Sequence, residues 1–403
     1  LPLNLTKFTP LERRRLSNGV YSIVMPPPFE ISSFRDVDVT KKVIELILKF
    51  TPPRRIKIMH VCGTHENSIG KFGLRSLLPE NIELISGPGC PVCVCPSSDI
   101  EIAIEIASKK GVILTTFGDM VRVPVKMGGK QGEPNDSLQT AKSRGADVRI
   151  VYSPLDALKL AERHPDKKVV FFSIGFETTA AGVASIIYSR PPDNFSILSS
   201  HRLIPPSLEL LLGVGDIQID GFLLPGHVTT VIGMKPFRIF PEAYLMPTVA
   251  AGFEPLDILL AILSILEQIK GEKPSLINRY ARAVKDDGNP KAVSIMNDVF
   301  EEVSSYWRGI GKIPRSGFKL REKYSKWDAN KVFDPAHNLC AGFDLHPDCS
   351  CHLIMIGKIY PTACPLFVKR VCNPDNPYGP CMVSMDGTCR IWYRYGGKGV
   401  TLR

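Results

Sequence analysis

IKIMHVCGTHE, residues 56–66, sets an apolar strand directly against Cys62-Gly63-Thr64-His65-Glu66, a segment suited to cap and begin a helix. The same unit recurs. IELI (82–85) runs into SGPGC, GVILTT (111–116) into FGDM, VRIVYS (148–153) into PLDAL, KVVFFSI (168–174) into GFETTA, and IDGFLL (219–224) into PGHVTT. Helical patterns precede or separate these units, as at Val39 to Phe50, Ile100 to Lys109 and Ser137 to Arg144. Strands alternating with helices predict parallel sheets joined by right-handed crossovers, with helices on both faces. In such sheets ligands bind beyond the carboxyl ends of the strands, where the unusual polar and sulfur residues of the first 230 positions fall. The expected fold is α/β, with two Rossmann-like parallel-sheet lobes, 33–150 and 151–255, facing each other across a cleft. Residues 1–32, closing on Met25-Pro26-Pro27-Pro28, read as a surface extension. Residues 256–403 read as a helical segment (LDILLAILSILEQIK, KAVSIMNDVFEEVSSYW) leading into a Cys-rich iron-sulfur domain.

The chain has 403 residues, enough for two or three domains, and its 44% hydrophobic and 22% charged content is that of a folded protein. The net charge of +10 is scattered, with Arg13-Arg14-Arg15 its densest run. No basic stripe with interleaved aromatics marks a nucleic-acid surface. The most apolar stretch, Ile258 to Leu266, is too short to span a bilayer, and no secretory signal pattern opens the chain. A cytoplasmic location is expected, where permanent disulfides are rare and cysteines serve metals, clusters or catalysis.

Eleven cysteines are distributed unevenly: 62, 90, 93 and 95, then 340, 349, 351, 364, 372, 381 and 389. Two sulfur sites are the simplest inference. Cys62 stands where a strand meets a helix, and helix amides together with His65 would lower its pKa. Cys90-Pro-Val-Cys93 is a C-x-x-C pair, either a redox dithiol or part of a metal site. Cys95 is open between reactive thiol and packing. Glu177 and Thr178 of GFETT, and His227 of PGHV, sit at two further strand ends, where an acid, a hydroxyl and an imidazole can orient a ligand or move a proton. Six closely spaced thiols, Cys349, Cys351, Cys364, Cys372, Cys381 and Cys389, exceed by two the four that hold a [4Fe-4S] cluster, and zinc with four thiolates is the rival reading.

Taken together and in order, CGTHE (62–66), GPGCPVC (87–93), TTFGDM (115–120), GFETTA (175–180), PGHVTTVIG (225–233), GFEPLDIL (252–259) and the tail text CPLF, GPCMVS, GTC and WYRY resemble the HypD family of hydrogenase maturation factors. The resemblance runs from about 35 to 395. It implies a scaffold for assembling the Fe(CN)2CO unit of [NiFe]-hydrogenases, acting as a monomer within a heterocomplex. Its partners would be a HypC-type small chaperone and a HypE-type cyanide donor. Carried onto this chain, Cys62 would be the thiolate of an Fe(II) that carries CN and CO in transit, with Cys90 and Cys93 as further ligands or an electron-exchanging dithiol. His65, Glu66, Glu177, Thr178 and His227 would surround the diatomic ligands, and a C-terminal [4Fe-4S] cluster would feed electrons to a cysteine pair. Cys340 is additional to this pattern.

Two other classes fit the residues alone. One is a cluster-dependent thiol/disulfide oxidoreductase using Cys90 and Cys93, in which Cys62 would be dispensable for thiol turnover. The other is a zinc-stabilised structural protein.

Overall fold

The computed structural model describes residues 12–15, 21–24, 36–125, 136–213, 217–335 and 344–397. Most of the expected extension at 1–32, and Cys340, lie outside them. Two parallel sheets organise the molecule. The first has five strands in the order Leu276–Asn278, Thr248–Ala251, Gly221–Pro225, Ile56–His60, Ile82–Ser86. The second has four, in the order Asp147–Ile150, Val112–Thr116, Lys168–Gly175, Phe195–His201. Every ladder within them is parallel. The central strands Val112–Thr116 and Gly221–Pro225 are buried along their whole length, as parallel strands covered on both faces must be.

The sheets cut across the division expected at residue 150. Val112–Thr116 and Asp147–Ile150, placed by chain order in the first lobe, pair in the second sheet, while Gly221–Pro225 returns to lie beside Ile56–His60. Each sheet is thus assembled from separate stretches of chain. Periodicity identifies a strand but carries no record of its neighbour, and strand–helix units of like pattern can enter either sheet.

Local chemistry explains the helices. Asp36 caps Val37–Phe50 by accepting from the amides of Asp38 and Val39, and Ser137 caps Leu138–Ser143 in a capping box with Thr140. Pro255–Gly271 is apolar nearly all round because it is held between the first sheet and Val37–Phe50. It has 17 residues, and no helix among the described residues is long and apolar enough to cross a membrane.

One expected helix is half strand. KAVSIMNDV forms the helix Pro290–Val299, but FEEVSSYW becomes the strand Phe300–Trp307, antiparallel to Gly311–Leu320. Pairing with that partner rewards the aromatic and β-branched residues of this stretch more than a helix would.

Glycine 182, on the helix Glu177–Tyr188, has only Pro154 near the position of a would-be Cβ, at 3.9 Å. Gly182→Ala is expected to stabilise the chain by about 0.5–1 kcal/mol, read as a raised urea midpoint at unchanged slope.

Candidate functional site

The loops that follow the strands bring the first group of cysteines together. Cys62 is the N-cap residue of the helix Gly63–Lys71, and Cys90 is that of the one-turn helix Pro91–Val94. Their strands are adjacent, so their loops are too. The Gly63 amide donates to the Gly89 carbonyl at 3.3 Å, and the Gly87 amide to the His60 carbonyl at 2.9 Å. A Cβ on Gly89 would lie on the Val61 carbonyl group and the Cys62 amide, so only glycine permits this approach. Cys90 and Cys93 are joined as a disulfide. Their short helix packs on the strand Lys168–Gly175, which sets the pair between the two sheets.

Cys62 is partly buried and free. Burial pushes its thiol up to about 11, with Asp386 adding to the rise and the His65 backbone amide opposing it. The expected lowering by the His65 ring does not arise. His65 Nε2 is 2.9 Å from the Gly252 carbonyl oxygen, and burial pushes the imidazole down to about 3, so it is neutral. Phe253 lies between two imidazoles, 4.9 Å from the His65 ring and 4.0 Å from that of His227. The GFEP segment therefore joins CGTHE and PGHV at the carboxyl ends of three strands of the first sheet.

Glu66 is placed differently from the role the resemblance implies. Its carboxylate is 1% exposed and both oxygens are engaged. Arg75 donates from both Nη atoms at 3.0 and 2.7 Å, Trp392 Nε1 donates at 2.7 Å, and His60 Nε2 lies 2.6 Å away. Burial alone would raise this carboxyl; Arg75 and then His60 outweigh it and hold Glu66 well below the usual range. Trp392 belongs to the C-terminal helix Thr388–Tyr395, so Glu66 fastens the tail to the helix that Cys62 caps.

Glu177 and Thr178 open the helix Glu177–Tyr188 at the end of a second-sheet strand. Glu177 Oε1 accepts from the Ile204 amide at 3.0 Å, while Oε2 is buried without a partner among the described residues. Burial pushes this carboxyl up to about 7. No described hydrogen bond ties it to Cys62 or to the disulfide. Cys95 is fully buried, its Sγ 3.3 Å from Ser200 Oγ, and burial followed by Asp99 pushes its thiol up to about 12. That favours the packing role.

The C-terminal thiols form the second centre. The Sγ atoms of Cys351, Cys381 and Cys389 lie within 4.8 Å of one another, all buried, and Cys349 Sγ is 3.2 Å from Cys351 Sγ. Cys364 and Cys372 are buried in the same core. A side chain on Gly379 would strike the sulfurs of Cys349 and Cys351, so glycine leaves room beside them. The thiols shift in opposite directions: Cys351 holds Cys349 below the usual thiol value and Cys351 and Cys389 hold Cys381 well below it, while Cys349, Cys381 and Cys389 raise Cys351 well above it, and at Cys389 the Cys381 thiol and burial outweigh Cys351 and raise it as well. Converging soft donors fit an iron-sulfur cluster or a four-thiolate metal ion.

The acids that seat this tail stand outside any recognisable cysteine or histidine spacing in the sequence. Asp119 of FGDM accepts from Ser384 Oγ at 3.0 Å and from the Met385 amide at 2.9 Å. Asp386 then lies so close to Gly63 that a Cβ there would overlap it. The tail thus borders the first centre beside Cys62.

The chain matches the HypD family, described as the hydrogenase formation hypA family, over residues 38–396. The chain belongs to the HypD family of hydrogenase maturation factors. A HypD of Escherichia coli is 45% identical over 353 residues, covering 86% of this chain and 91% of that one. HypD2 of Bradyrhizobium diazoefficiens is 41% identical over 374 residues, 90% of this chain and 96% of its own length. HypD of Cupriavidus necator is 41% identical over 380 residues, 91% and 97%. The likeness to HypD proteins thus takes in both sulfur centres, and a maturation role implies partner proteins of the same pathway.

Proposed function

We propose that this chain is the scaffold on which the Fe(CN)2CO unit of [NiFe]-hydrogenases is built, together with a HypC-type chaperone and a HypE-type cyanide donor. The observation that carries this reading is the contact of Gly89 with the Cys62 backbone, which sets one free thiol beside a paired C-x-x-C. Cys62 would supply the thiolate to the iron cargo, a soft donor suited to a metal that also carries cyanide and CO. The reduced Cys90–Cys93 pair would release two electrons and two protons on closing to the disulfide. His227, exposed and stacked on Phe253, borders the cargo beside the neutral His65. Glu177, poised near neutrality, would take or give a proton on the side of the second sheet. Four of the six C-terminal cysteines would hold a [4Fe-4S] cluster, which supplies one-electron transfer when bound.

The test is infrared spectroscopy of the chain purified anaerobically with its HypC-type partner. Cyanide and CO bands are expected, and Cys62→Ser is expected to abolish them at unchanged yield of the complex. Bands that persist in Cys62→Ser would defeat the assignment. An iron and acid-labile sulfide count tests the tail: sulfide-free protein with four-thiolate zinc would replace the cluster reading. The disulfide itself favours a second reading, a cluster-dependent thiol/disulfide oxidoreductase. That reading predicts thiol turnover that survives Cys62→Ser and is lost in Cys90→Ser.

A further inference from the structure

Two short helices carry tail thiols, and each lies on a helix of the first centre. Pro380–Val383, which holds Cys381, packs on Pro91–Val94, the one-turn helix of the C-x-x-C pair. Thr388–Tyr395, which holds Cys389, packs on Gly63–Lys71, the helix that Cys62 caps. A Cβ on Gly70 would lie 3.0 Å from the Ile391 side chain and 3.4 Å from that of Tyr395, so the second pair of helices meets closely.

Polar bonds fasten the tail to both first-centre loops. Thr388 and Trp392 are four residues apart and share one face of their helix. Trp392 Nε1 donates to Glu66 at 2.7 Å, on the helix of Cys62. Thr388 Oγ1 donates at 2.9 Å to Ser86 Oγ, at the end of the strand that runs into the GPGC loop. Ser86 in turn donates to Glu66 at 3.3 Å, and all four side chains are buried. At their other ends the two tail helices converge. The Sγ atoms of Cys381 and Cys389 lie within 4.8 Å of each other and of Cys351, and the Cys389 amide donates to Cys381 Sγ at 3.4 Å. Metal held by these sulfurs cross-links the two short helices, and the free energy of binding it is then free energy of folding.

We propose that these two helices form a clamp. With their thiols bridged by metal, they hold Gly63–Lys71 and Pro91–Val94 in fixed relation and so set the Cys62 thiol against the Cys90–Cys93 pair. Thr388 and Trp392 are its positioning residues: they act through Ser86 and Glu66 and touch no cargo. The tail is then filled before the first centre takes its shape, a mechanical part distinct from electron transfer. The proposal rests on the reading of the tail as a metal centre.

The probe is Zn2+, which exchanges no electrons, so the response reports geometry alone. One equivalent is added anaerobically to the metal-free full chain carrying Cys62→Ser, with Cys90–Cys93 left oxidised, and amide hydrogen exchange is followed by mass spectrometry. Zn2+ is expected to slow exchange over 63–71 and 92–95 at least about fivefold, the lower end of coupling between linked sites. The control is Val37–Phe50, which packs on Pro255–Gly271 and is expected to change less than about twofold. Trp392→Phe keeps a ring and removes the donor to Glu66, and the slowing over 63–71 is expected to fall below about twofold there at unchanged Zn2+ uptake. Exchange over 63–71 and 92–95 that ignores Zn2+ would overturn the proposal, as would slowing that is equal in the control helix, since that is global stabilisation. A Trp392→Phe that responds like the parent overturns the clamp through Glu66. If Trp392→Phe does not melt cooperatively, the parent decides alone: selective slowing upholds the proposal and its absence overturns it. A parent that takes up no Zn2+ overturns the metal reading and the clamp with it, and the missing uptake tells that failure from the others.

Discussion

Glu66→Gln is expected to lower the stability of this chain by about 3–5 kcal/mol, the cost of removing one partner from a buried ion pair. The substitution keeps the volume and leaves Trp392 an acceptor, but it places an amide N–H2 against Arg75 or His60 and strands the Arg75 guanidinium, itself 8% exposed. On the scale of a large domain this is a fall in melting temperature of roughly 10 °C. The pH dependence gives the sign. The folded carboxyl lies below its ordinary value of 4.5, so its stabilisation is complete above that value and is lost as pH falls through it toward the folded pKa. Denaturant midpoints of wild type and Glu66→Gln are therefore expected to differ at neutral pH and to converge on acidification. A gap that stays constant down to pH 3 would mean that the carboxylate charge is not its source.

That network also shows what the sequence could tell and what it could not. CGTHE reads as a functional string because cysteine, histidine and glutamate stand together after a strand. The structure divides them: Cys62 faces the first centre, His65 holds the Gly252 carbonyl, and Glu66 turns to Arg75 and to Trp392, 326 residues away. Side chains successive on a helix point in different directions, and the partner of each is set by tertiary contact, which no local pattern encodes. The strands at 56–60, 82–86, 112–116 and 168–175 were legible because a parallel strand covered on both faces is a continuous apolar run. Their division between two sheets was not legible, since crossovers of similar length can lead to either one. The two sulfur centres could be read from spacing alone. Asp119 and Asp386, which seat the tail, are single residues in short turns and carry no signature beyond proximity.

Gly89→Ala is expected to open the first centre. The two loops at the ends of Ile56–His60 and Ile82–Ser86 are held by the Gly63–Gly89 and Gly87–His60 backbone bonds, and the Cβ of an alanine would occupy the space of the Val61 carbonyl and the Cys62 amide. Backbone cannot yield as a flexible side chain does, so the strain falls at the upper end of overpacking costs, about 3 kcal/mol. Relief requires the GPGC loop to move away from Cys62, which separates the free thiol from the Cys90–Cys93 pair. On the scaffold reading, iron retained with the HypC-type partner should fall at least roughly tenfold, the effect of losing 1.4 kcal/mol or more of binding, while metal at the tail cysteines is unchanged. Gly73→Ala is the comparison. Gly73 has φ +62 with nothing within 4 Å of its would-be Cβ, so alanine there costs about 1 kcal/mol of backbone strain and leaves the cysteines in place. Gly73→Ala should thus lower the melting temperature without loss of iron, and Gly89→Ala should lower both. If Gly89→Ala keeps its iron and melts with wild type, the loops are not pressed together and the adjacency of Cys62 to the C-x-x-C pair is wrong. If stability falls and iron stays, the adjacency holds structurally but the cargo does not depend on it, and the thiol/disulfide oxidoreductase reading gains the ground.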